Sequence, residues 1–235
     1  KFSAYAADAK LELDWLSAKG YEKDPASVSE LKEYDGILVP GGFGETGIEG
    51  KIAAIKFARE NKIPYFGLCY GMQLMTVEFA RNVAGLRGAH TTEIDAKTPN
   101  PVIAILPEQV EKMAKKAYGG TMRLGAYPCE LEKDTIAHEA YLSAKSLAKV
   151  DGKSVISERH RHRYEVNPEY VEKLEKAGLV FSGKSPDGVL MEIAELPKDV
   201  HPFFLGTQFH PEFRARPLSP HPLFTAFIKA AIARK

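Results

Sequence analysis

Cysteine is scarce in this chain, with two residues in 235, and the pair, Cys69 and Cys129, stands sixty positions apart. That excludes a disulfide framework, and it excludes a thiolate metal cage, which needs more ligands at tighter spacing. Charge of one sign is also missing. Thirty-two Lys and Arg balance 31 Asp and Glu, a formal net charge of +1, so no bulk field recruits nucleic acid or an anionic membrane. No apolar run approaches the ~18 residues that suggest a membrane span, and no charged leader precedes an apolar stretch. A reducing, cytoplasmic setting follows as the expectation. A starting Met is absent too: Lys1-Phe2-Ser3-Ala4 begins abruptly, as expected of a piece of a longer polypeptide.

What is present is strand-to-helix alternation. Gly36-Ile37-Leu38-Val39-Pro40 reads as a buried strand running into Gly41-Gly42-Phe43-Gly44, with a helix around Lys51 to Asn61. Ile63 to Gly67 is the next strand, followed by a helix carrying Met72, Leu74, Met75, Val77 and Phe79. Two such units predict a doubly wound, mostly parallel sheet flanked by helices. Leu11, Leu13 and Trp15 alternate with acidic residues and predict a half-buried strand, with Gly20 in the loop beyond. After about Asn100, strand-like segments dominate: Val102 to Leu106, Thr121 to Ala126, His160 to Val166, Leu179 to Ser182, Val189 to Ala194 and Phe203 to Phe209. These predict an additional small antiparallel sheet. Glu108 to Ala117, Pro168 to Ala177 and Pro222 to Ala233 read as helices. One domain, 1–235, is the simplest organisation.

The chemistry concentrates at Gly67-Leu68-Cys69-Tyr70-Gly71-Met72-Gln73. A cysteine framed by glycines at minus two and plus two, after a strand and before a helix, has the layout of a nucleophile elbow. At a helix N-terminus the free N–H groups and the macrodipole favour thiolate over thiol. The oxyanion formed on attack needs donors; the Tyr70 N–H and the Gly41-Gly42 turn are the candidates, because successive parallel strands present their turns at one sheet edge. Neither phosphate-loop pattern fits the glycines at 41–44. Cys129, with no glycine frame, reads as a buried structural residue.

Near the C-terminus stands Thr207-Gln208-Phe209-His210-Pro211-Glu212-Phe213. In extended chain, residues two apart share a face at about 7 Å, so Glu212 is expected to orient the His210 imidazole as nucleophile, base and orienter require. Arg159-His160-Arg161-His162-Arg163-Tyr164-Glu165 admits three readings: a metal tract, a basic patch or a solvated strand. Interleaved arginines argue against a cation, and Arg163 suits a carboxylate if it faces the pocket. Glu93 is a candidate partner for an α-amino group, or simply solvated.

Val39 to Gly44, Gly67 to Gln73 and Gln208 to Phe213 together resemble class I glutamine amidotransferase domains. Gly119-Gly120-Thr121-Met122-Arg123-Leu124-Gly125, Glu158 to Asn167 and His221-Pro222-Leu223-Phe224 narrow the resemblance to the glutaminase halves of CTP synthases. That resemblance implies glutamine hydrolysis, with ammonia passing to an amino-terminal synthetase domain, absent here, that uses ATP and Mg²⁺ to aminate UTP. It implies Cys69, His210 and Glu212 as the catalytic triad and the backbone of Gly41, Gly42 and Tyr70 as the oxyanion hole. Gly42, Tyr70, Gly71, Met72, Gln73, Glu93, Arg163 and Tyr164 are implied to bind glutamine. It further implies no cofactor or metal in this domain, GTP as allosteric activator, a homotetrameric full-length protein, and no nucleic-acid or membrane partner. Tyr70 stands where that family usually has Leu, and Thr46 where Arg is common. The alternatives are the glutaminase of another amidotransferase and a catalytically silent module of the same fold.

Overall fold

The computed structural model describes residues 1–105 and 122–234. The expected helix Glu108 to Ala117, the Gly119-Gly120-Thr121 run and the end of the expected strand at Leu106 lie outside the described residues.

Strand β1 (Ile37–Val39) is followed by helix α3 (Ile48–Glu60), β2 (Tyr65–Leu68) by α4 (Tyr70–Asn82), and short helices α1 (Phe2–Ala6) and α2 (Ala18–Lys23) precede them. Next come β3 (Ala89–Thr91), β4 (Asn100–Ala104), β5 (Arg123–Leu131), α5 (Ile136–Ser143), β6 (Ala148–Val150), β7 (Lys153–His162) and β8 (Glu165–Val166). The chain closes with α6 (Pro168–Lys176), β9 (Val180–Lys184), β10 (Met191–Glu195), β11 (Phe204–Thr207) and α7 (Pro222–Ala233). Prolines sit at the first position of α6 and α7, where a missing N–H costs nothing.

The main sheet runs β1-β2-β11-β10-β9-β5-β7-β6, and β3-β4-β8 form a second, smaller one. The expected α/β class with two sheets holds. Parallel pairing is narrower than expected: in the main sheet β2 pairs parallel with β1 and β11, and the remaining pairings are antiparallel. The small sheet is mixed, β3 parallel to β4 and β4 antiparallel to β8.

Every residue of β2 and β11 is buried, the pattern of central strands covered on both faces. Alternation sorts their side chains. Tyr65 and Phe204 join the core beneath α3 and α4, where Ile52, Ile55, Leu74 and Val77 pack. Phe66 and Leu205 point the other way, into a core with Phe203, Leu223 and Phe227 under α5 and α7. Burying one such side chain contributes about 1.5–3 kcal/mol.

The expected strand at Leu11 to Trp15 is absent. The segment has no regular structure, and Trp15 is 84% exposed; apolar alternation makes a strand only where a neighbouring strand offers hydrogen bonds. Gly20 lies inside α2 rather than in a loop. The expected strand His160 to Val166 divides into the end of β7 and β8, which belong to different sheets.

Candidate active site

Cys69 follows β2 directly and precedes α4, with φ +48° and ψ −98°. A non-glycine residue with positive φ is strained, and such strain persists only where the surroundings enforce it. They do so here. The Cys69 N–H donates to the Thr207 carbonyl at 2.6 Å, extending the β2–β11 pairing into the turn. A Cβ at Gly71 would stand 2.3 Å from the Val39 carbonyl oxygen, and one at Gly67 2.7 Å from the Gly71 carbonyl carbon. The glycine frame is therefore a packing requirement.

Gly41, two residues past the end of β1, lies between nucleophile and base. A Cβ there would meet His210 Cε1 at 2.8 Å and Cys69 Cβ at 3.6 Å, so Cys69 and the imidazole flank one small volume. His210 Nδ1 lies 2.6 Å from Glu212 Oε1, and Phe213 stacks on the ring at 4.9 Å between centroids and 13° between planes. His210 Nε2 is buried and has no hydrogen-bond partner among the described residues. With Nδ1 engaged by the carboxylate, that nitrogen is free to take a proton.

Two expectations need correction. His210 and Glu212 do not meet across an extended strand: β11 ends at Thr207, and Pro211–Phe213 form a 3₁₀ turn. Proline, with fixed φ and no N–H, opens such a turn readily, and the turn brings the carboxylate closer than a strand would. Cys69 is also no resting thiolate. It is 4% exposed, and burial, seconded by the carboxylates of Glu165 and Glu212, pushes its thiol up to about 12 against the lowering effect of the Tyr70 N–H and Gln208. Desolvation outweighs the helix terminus.

The other predicted residues divide. Tyr70 donates its hydroxyl to the Gly44 carbonyl at 2.9 Å, and the Gly44 N–H donates to Glu93 at 3.0 Å; the 41–44 loop, the start of α4 and the turn after β3 are thus joined. Gln73 donates to the Tyr164 carbonyl at 3.0 Å, tying the Arg163-Tyr164 segment to α4, and Arg163 Nε is buried without a partner among the described residues. A Cβ at Gly42 would touch Tyr70 Cδ1 at 3.6 Å. Met72, wholly buried beneath Gly206, belongs to the core, so only its backbone is available to a ligand. Cys129 is buried and packs against Gly183.

Along β7 the histidines face inward and Arg159 and Arg161 outward. Burial holds His160 and His162 neutral, down to about 2 and about 3, and among the described residues no cluster suits a metal ion. Sequence reasoning missed what they pack against. Arg123 lies 2.8 Å from Glu192 and 3.4 Å from Glu165, both carboxylates fully buried. One guanidinium cannot neutralise two dry carboxylates, and burial pushes Glu165 up to about 8 and raises Glu192 as well. Gln208 is a second omission; in the sequence only its place beside a predicted catalytic strand end pointed to it.

A family model, glutamine amidotransferase class-I, matches residues 3–230. The chain belongs to that family. The CTP synthase of Rubrobacter xylanophilus is 54% identical over 227 residues, 97% of this chain and 38% of its own length. That of Thermococcus gammatolerans is 51% identical over 236 residues, 100% and 41%. The chain thus spans about two-fifths of the length of the curated relatives it matches. The glutaminase domain of Trypanosoma brucei CTPS, solved with bound acivicin, superposes with a TM-score of 0.87 at 35% identity, covering 100% of this chain and 85% of that one. The chain is thereby a glutamine amidotransferase domain of the CTP synthase type.

Proposed function

We propose that Cys69, His210 and Glu212 hydrolyse the side-chain amide of glutamine, and that the ammonia aminates UTP to CTP in the synthetase portion of a longer protein. The observation that carries this reading is a strained cysteine and a histidine facing one gap at Gly41, the histidine held by a carboxylate on Nδ1 and unpartnered on Nε2 among the described residues. Because burial keeps Cys69 protonated, His210 Nε2 takes the thiol proton as sulfur attacks the amide carbon. The oxyanion is received by backbone N–H groups among Gly41, Gly42 and Tyr70. The imidazolium returns the proton to the leaving nitrogen, the C–N bond breaks, and ammonia departs, leaving a glutamyl thioester. Water, deprotonated by His210, then breaks the C–S bond and releases glutamate and the thiol. Glu212 steadies the imidazolium through both halves.

Glutamine is held by Gly42, Tyr70 to Gln73, Glu93, Arg163 and Tyr164; Glu93 suits the α-amino group and Arg163 the α-carboxylate. GTP acts as activator in this reading, as in the family the sequence resembles. ATP and Mg²⁺ serve the synthetase portion. The whole protein, as in the family the sequence resembles, is read as a cytoplasmic homotetramer.

Cys69→Ala is expected to abolish ammonia release while still binding glutamine in calorimetry, and a glutamine-mimicking electrophile such as acivicin should label the wild type at Cys69. Adding a synthetase half in trans with UTP, ATP, Mg²⁺ and GTP should then yield CTP from glutamine. Ammonia release by Cys69→Ala, or labelling elsewhere, would overturn the assignment.

A further inference from the structure

Gln208 follows the last residue of β11, and its side chain is fully buried. Its backbone N–H donates to the Glu192 carbonyl at 2.8 Å, which fixes the residue against β10. From there the side-chain nitrogen Nε2 reaches to 3.7 Å from Cys69 Sγ, within the range of a hydrogen bond to sulfur. Which end of this amide faces the sulfur decides its chemistry. The NH₂ end steadies a negative sulfur, and the carbonyl end repels it.

Two links outside the catalytic strand set that orientation. The Tyr164 backbone carbonyl can only accept, so Gln73, 3.0 Å away, must present Nε2 to it. The second proton on the same nitrogen points to Gln208 Oε1 at 3.3 Å. With its oxygen engaged, Gln208 turns its own NH₂ group to the sulfur. The polarity of a backbone carbonyl in one segment is thus passed through two amides to the nucleophile.

We propose that Gln208 is a further catalytic residue, donating an N–H to Cys69 Sγ and holding the charge that sulfur acquires on deprotonation and regains on release from the thioester. The assignment rests on the reading of Cys69 as nucleophile. No proton leaves the amide: the thiol proton goes to His210, and Gln208 stabilises what remains. The need is local. Burial and the nearby Glu165 and Glu212 oppose a thiolate, and the groups working the other way are the Tyr70 N–H and the Gln208 side chain. A hydrogen bond to a charged group in a dry site is among the stronger ones.

The test uses the 235-residue chain and two variants. Gln208→Met keeps the length without a donor; Gln208→Glu keeps the oxygen facing Gln73 and, at the upper end of the pH range where a buried carboxyl ionises, exchanges the donor for an acceptor. Both should lower kcat for glutamine hydrolysis by about ten- to a hundredfold, the range for losing a hydrogen bond to an ion, and glutamine affinity measured in the Cys69→Ala background should stay within about twofold. Iodoacetamide alkylation of Cys69, followed by peptide mass spectrometry over about pH 7 to 10, a range below the ionisation of the buried thiol, should slow by a comparable factor at every pH. Gln73→Met, which removes the orienting link, should slow alkylation by a smaller factor. Melting curves establish folding, and if Gln208→Met does not fold, the closer isostere Gln208→Glu decides. An unchanged alkylation profile and kcat in a folded Gln208 variant would overturn the proposal. Ammonia release by Cys69→Ala would instead overturn the nucleophile assignment, and the alkylation profile would still show whether Gln208 tunes the sulfur.

Discussion

At Gly41 the difference between a working site and a blocked one is a single methyl group. The added carbon in Gly41→Ala would collide with the His210 imidazole, a side chain that can move, rather than with backbone. The fold should therefore survive and the chemistry should not: a melting temperature within a few degrees of wild type and a fall in kcat of about a hundredfold, the penalty of displacing a reacting group by roughly 1 Å. Steady-state kinetics beside a thermal melt check both halves, and a fully active variant would show that the imidazole need not sit where it does. At this scale the sequence was informative wherever a residue's role follows from its immediate neighbours. Cys69 stands in a glycine frame and Glu212 two places from His210. Gln208 was not legible, because the direction of its amide is set by Gln73 and Tyr164 in remote segments. Nor was the thiol form of Cys69, which burial by the whole fold decides.

Among the elements, α4 is held close against β1 at its start. A Cβ at Gly71 would press on the Val39 carbonyl oxygen of β1 at 2.3 Å, and because the obstacle is backbone, relief requires moving a strand or a helix. Gly71→Ala should cost stability, about 1–3 kcal/mol or more, seen as a lowered denaturant midpoint, the reverse of the Gly41→Ala outcome. The elements read correctly from sequence carry strong periodicity between turn residues: β1, α3, β2, α4, α6 and α7. Those missed are short or lack an apolar stripe, such as β3, β6 and α2, whose existence depends on partners. The Arg-His tract shows the same limit. Its alternation was visible, but which face is inside follows from pairing with β5, which sets Arg123 opposite His162.

For the molecule as a whole, the buried pair Glu165 and Glu192 around Arg123 links stability to pH. The unfolded chain ionises Glu165 near 4.5 and the fold near 8, so between those values the folded state holds the extra proton and its advantage shrinks as pH rises. Wild type should lose stability relative to Glu165→Gln as pH climbs from about 4.5 to about 8, and melts of the two proteins across that window check the sign. The α/β class was legible because two βα units announce it; the antiparallel majority of the sheet was not, since strand direction is absent from an apolar run. Parallel pairing of β1, β2 and β11 has one more consequence. The nucleophile comes from the first third of the domain, and its base arrives with the last strand, so a ribosome-bound chain that stops short of residue 204 carries a cysteine with no imidazole beside it and an open edge where the Thr207 carbonyl should be. Until that strand is in place Cys69 lacks the His210 base that takes its proton, so amide hydrolysis waits for a segment some 140 residues downstream of the nucleophile.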